Sequence, residues 1–153
     1  MDMRQYEQVR PQEVAPPTRI QWSRAVAAGF IAGAILILVP RGSPWEGLAF
    51  SEPVIMGRHF PGMAVGLVWL IHLAVAIVYS LVICRLIAPY RIRRALVMAA
   101  LGGLGLYILN LAVVSFVWQA APHNEVPVIF THIVFALIAG GAYRGLLRRT
   151  VVI

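Results

Sequence analysis

The thirteen basic residues of this chain are all arginine, and they stand between four long stretches without a charge, roughly residues 25–39, 60–84, 95–124 and 126–143. A helix needs about 20 mostly apolar residues to cross the hydrocarbon core of a bilayer. The pattern therefore predicts an all-α fold, a four-helix transmembrane bundle with spans at about 20–40, 63–87, 93–118 and 126–147. Residues 1–20, with Pro11, Pro16, Pro17 and scattered charges, read as a disordered or interface-lying tail, and residues 21–153 as one four-span membrane domain.

Composition removes the other classes. Hydrophobic residues make up 60% of the chain and charged ones 12%, too little polar surface to clothe a soluble domain of 153 residues. A net charge of +7 on a soluble protein would suggest nucleic acid; here the arginines flank apolar spans and form no basic face. No nucleic-acid partner is expected, and the lipid bilayer is. Cys84 is the one cysteine, with no second thiol to pair with.

Arginine also orients the spans. The N-terminal segment carries Arg4, Arg10, Arg19 and Arg24, the connection after the second span Arg85, Arg91, Arg93 and Arg94, and the C-terminal end Arg144, Arg148 and Arg149. Against these eleven, the first connection has Arg41 and Arg58 and the third has none. The positive-inside rule then places both termini in the cytoplasm. The first span is short at its strictly apolar core, but Trp22 supplies an interfacial anchor and Arg24 can snorkel, and no small-x-small cleavage site follows it.

Two further patterns bear on packing. Aligning Arg24-Ala25-Val26 with Arg94-Ala95-Leu96 sets Gly29 over Ala99 and Gly33 over Gly103, while aligning His72 with His132 sets Ala76 over Ala136. The chain thus reads as two parallel two-helix repeats, with the longer first outer loop absorbing the difference in offset. Gly29 and Gly33, Gly141 and Gly145, and Gly103 with its neighbours are small-residue steps that let helices approach closely, inside the monomer or against a partner.

The spans contain no Asp or Glu, so their polar residues are the functional candidates. Helical spacing sets His72 and Tyr79 on one stripe of the second span, Tyr107 and Asn110 on one face of the third, and His132 and Tyr143 on the fourth. Counting about 1.5 Å per residue from each outer end puts His72, Asn110 and His132 at about 14, 12 and 8 Å depth, so an intramembrane polar cluster of these three with Tyr79, Tyr107 and Tyr143 is expected. Interhelical hydrogen bonds that fix packing are one reading; a proton or quinone site is another. A third has His72 and His132 as ligands of a haem b or a metal, although two histidines without a C-x-x-C-H signal specify neither, and the expectation is no cofactor. His59, His123 and Glu125 add an outer constellation without metal-site spacing. Ser43, Pro44 and Trp45 in the first outer loop read as a turn and an interfacial anchor.

The Gly-Ser-Pro-Trp after the first span, His72-x6-Tyr79, Tyr107-x2-Asn110 and the His132 to Tyr143 helix resemble a group of small four-span bacterial inner-membrane proteins of unestablished function. Some of those carry a default sodium:proline symporter label, which this chain does not support: such transporters have about ten or more spans in inverted repeats. The resemblance implies the bacterial inner membrane. On function, the expectation is no enzyme but an accessory or structural subunit of a larger membrane complex, respiratory or photosynthetic. A small oligomeric carrier or channel is the alternative, and a haem- or metal-binding redox protein a third.

Overall fold

A computed structural model describes residues 19–38, 54–55, 58–59, 65–118 and 125–148. It contains four helices: α1 (Trp22–Leu38), α2 (Val65–Ile87), α3 (Ile92–Trp118) and α4 (Glu125–Arg148). In the first connection Val54–Ile55 (β1) pairs antiparallel with Arg58–His59 (β2), Val54 opposite His59. Residues 1–18 of the expected tail and Ser43, Pro44, Trp45 and His123 lie outside the described residues.

α2, α3 and α4 are long and apolar enough to cross a membrane, and α1 is a shorter apolar helix. At 17 residues α1 is about 25 Å long, short of a core of roughly 30 Å. Trp22 at its first position is exposed, as an interfacial anchor must be. α4 tolerates Pro127 because the proline falls in its first turn, where no backbone N–H is required of it.

The helices form a ring in chain order, each touching its sequence neighbours and α1 closing onto α4, with α2 and α4 meeting across the middle. Close approach is set by glycine. A Cβ on Gly33 would lie 2.8 Å from the Ala76 Cβ, and one on Gly29 2.7 Å from the Ser80 Cβ, so α1 and α2 touch nearly backbone to backbone. The other hairpin repeats this residue for residue. A Cβ on Gly103 would lie 3.0 Å from the Ala136 Cβ, and one on Gly140 3.3 Å from the Ala99 Cβ.

Gly33·Ala76 therefore corresponds to Gly103·Ala136, and Gly29·Ser80 to Ala99·Gly140, at the offsets read in the sequence. The paired positions Ala25 and Ala95, Leu36 and Leu106, and Ile83 and Tyr143 are all buried as well. With α1 against α4 and α2 against α3, this is the adjacency that two parallel repeats demand.

The helix ends are not level. Gly103 meets His132 and Ile133, and Gly102 meets Ile83, which sets Glu125 opposite about residue 112 of α3. About 9 Å of α3, and at least two turns of α2, extend past the start of α4. At the Arg-rich end α4 overshoots its neighbours instead.

Candidate functional site

The polar residues of the spans gather at two levels. In the middle of the bundle, Asn110 of α3 stands between Tyr79 of α2 and His132 of α4. The Tyr79 hydroxyl donates to Asn110 Oδ1, and Asn110 Nδ2 lies 2.7 Å from His132 Nε2. His132 Nδ1 lies 2.8 Å from the Val128 carbonyl oxygen. A carbonyl can only accept, so Nδ1 carries the proton and Nε2 is the acceptor for the Asn110 amide. The result is one directional chain, Tyr79 to Asn110 to His132 to Val128, that joins three helices and ends on backbone.

Aromatic edges enclose it. The Tyr107 ring meets the His132 imidazole edge-on at 6.0 Å, and Tyr79 meets Phe135 edge-on at 6.4 Å. Tyr107 and Phe135 are buried, while Tyr79, Asn110 and His132 are half-buried. One position down α4, Thr131 donates to the Pro127 carbonyl at 2.8 Å, so Thr131 and His132 both turn back onto the first turn of their own helix.

The expected meeting of His72 with Asn110 and His132 is corrected by this geometry. Tyr79 occupies the α2 place in the cluster, and His72, half-buried, lies seven residues earlier on that helix, about 10 Å further out. The depth count assumed that all spans start at one boundary, whereas α4 starts well below α2. Axial ligation by the His72 and His132 pair would need His132 to release Asn110 or Val128 and to bridge this difference in level. Among the described residues no group of three or more His, Cys, Asp or Glu is placed to hold a metal ion.

Tyr143 belongs to the second level, at the Arg-rich end. Its side chain is fully buried, and its hydroxyl accepts from the Gln21 backbone N–H at 3.1 Å, where α1 begins. The next residue, Arg144, turns the other way. It is buried, and one guanidinium nitrogen donates to the carbonyls of Ile87 at 2.7 Å, Ala88 at 3.3 Å and Tyr90. These carbonyls stand at the end of α2 and in the four-residue turn to α3, where Ile87 also accepts from the Tyr90 backbone N–H at 3.1 Å. α4 thus fastens the start of α1 with one residue and the α2–α3 turn with the next.

Sequence reasoning counted Arg144 only as a topology charge. The signal that could have found it is the turn Ala88-Pro89-Tyr90-Arg91, which has no glycine to close the α2 C-terminus and leaves carbonyls there open to a further donor. Ser80 was also missed. Its buried hydroxyl donates to the Ala25 carbonyl at 2.9 Å, a hydrogen bond from α2 to α1, and Cys84 Sγ lies 3.6 Å from Ser80 Oγ as a buried neighbour.

Of the expected packing glycines, Gly29, Gly33 and Gly103 seat a neighbouring helix. Gly141 and Gly145 do not: a Cβ there would meet nothing within 4 Å, and both are exposed. The helical phase explains this, since Gly140 occupies the inward face of α4 and turns its successor outward. No family model matches the chain, and neither a curated protein nor a solved structure does.

Proposed function

We propose that this chain is a non-catalytic accessory or structural subunit of a larger complex in the bacterial inner membrane, respiratory or photosynthetic, with both termini on the cytoplasmic side. The observation that carries the reading is the closed Tyr79–Asn110–His132 chain. Each of its donors is directed at another helix or at backbone, so these three side chains hold the bundle together. The spans add no Asp or Glu that could couple to a moving ion or solute. Gly141 and Gly145, open on the outside of α4, supply a close-approach step for a neighbouring transmembrane helix.

The test is co-purification in mild detergent of a tagged full-length chain expressed at native level. A stoichiometric partner, lost when Gly141 and Gly145 are both replaced by Leu, is the expected result. A homo-oligomer without a partner, together with specific solute flux in reconstituted vesicles, would replace this reading with that of a small carrier or channel.

A further inference from the structure

We infer that the outward face of α3 at the Arg-rich end is a binding site for an anionic phospholipid taken from the adjoining leaflet. Tyr90, Arg93, Arg94, Val97 and Met98 line a surface hollow of about 270 Å³. Arg93, Arg94, Val97 and Met98 share one face of α3, and Tyr90 adds the wall from the turn before it. The wall of the hollow is apolar, so Arg93 and Arg94 line it with their stems at the headgroup end of the span, and Val97 and Met98 lie one turn deeper.

Among the described residues the charge at the mouth has no acidic counterpart. Arg93 and Arg94 are both exposed, and among the described residues this end of the bundle carries no Asp or Glu. Two guanidinium groups on consecutive residues at the rim of a span suit a phosphate held at headgroup depth. Basic hollows of this kind beside transmembrane helices are where acidic headgroups settle.

Below the mouth the same face continues as an apolar lane. Val97, Leu101 and Ile108 are 60%, 56% and 57% exposed, and Gly105 between them leaves open space where a side chain would stand. A soluble anion could use only the arginines. A phospholipid uses both parts, its phosphate on Arg93 and Arg94 and an acyl chain along the lane past Gly105. The frame is also held still, because Arg144 fixes the Tyr90 carbonyl and with it the turn that forms one wall.

The experiment is native mass spectrometry of the full-length protein released from nanodiscs of equal phosphatidylglycerol and phosphatidylcholine. The wild type should retain one phosphatidylglycerol in preference to phosphatidylcholine. At about 1 kcal/mol for each basic residue near the surface, R93Q/R94Q should lower that retention at least tenfold. R93K/R94K, which keeps the charge, should retain most of it, and R19Q/R148Q, which removes two exposed arginines outside the hollow, should leave it within about twofold. Equal retention of phosphatidylcholine, or an equal loss in R19Q/R148Q, overturns the site. Displacement of the bound lipid by excess inorganic phosphate also overturns it, since the lane would then contribute nothing.

Discussion

Arg144 Nη2 lies 2.7 Å from the Ile87 carbonyl oxygen, so a side chain of the fourth helix completes the C-terminus of the second. The two residues are 57 positions apart, and the same nitrogen also reaches Ala88 and Tyr90. Hydrogen bonds to a charged donor contribute about 1.5–3 kcal/mol, and removing Arg144 takes its donor from Ala88 and Tyr90 while Ile87 keeps the Tyr90 N–H. Arg144→Leu should lower stability by about 2 kcal/mol or more, read as thermal unfolding in detergent micelles. Exposed Arg148→Leu should change it by less than about 0.5 kcal/mol. Equal effects of the two would deny Arg144 its capping role.

The Tyr79–Asn110–His132 chain makes a graded prediction. Interhelical hydrogen bonds in membranes average about 0.6 kcal/mol, with a maximum near 1.7. Tyr79→Phe removes one link and should cost about 0.6 kcal/mol, while Asn110→Leu removes two and should cost about twice that. Unfolding by a denaturing detergent measures both. A larger loss in Tyr79→Phe than in Asn110→Leu would mean that Asn110 is not the centre.

Glycine positions on α3 separate packing from exposure. Gly103 faces the His132 carbonyl oxygen and Ile133 Cα of α4, whereas Gly105 faces open space. Gly103→Ala places a methyl group against backbone and should destabilise by about 1–3 kcal/mol. Gly105→Ala meets nothing and should be neutral or stabilising by up to about 1 kcal/mol through helix propensity. Thermal unfolding of the two variants side by side checks the register of α3 against α4.

Orientation is tested by fusion. An alkaline phosphatase that folds only in the periplasm should be inactive when attached after Ile153, because eleven of the thirteen arginines fall in the N-terminal segment, around the α2–α3 turn and at the C-terminal end. Attached within the first connection it should be active. An active reporter at Ile153 would invert the topology.

The four helices were legible because charge is excluded from spans and arginine punctuates them: the expected ranges fall within about two residues of each observed end. The repeat was legible too, since the Gly33 and Ala76 equivalents make the same contact in the second hairpin. Height was not. Sequence reports where a span begins along the chain but not how deeply its end lies relative to its neighbours, which packing decides. His72 was therefore expected in a cluster that Tyr79 completes, and Tyr143 was drawn into that cluster although it closes the far end. Arg144 escaped notice because a buried arginine and a surface one look alike between apolar neighbours.

The matched glycine contacts lie inside each hairpin, α1 on α2 and α3 on α4. Hydrogen bonds that cross from one hairpin to the other include Tyr79 to Asn110, Gln21 to Tyr143, and Arg144 to the α2–α3 turn. Each half is therefore packed by its own glycine contacts, and the halves are joined by Gly102 and Gly140 seated on Ile83 and Ile87 and by these polar latches. Those latches sit at mid-depth and at the Arg-rich end.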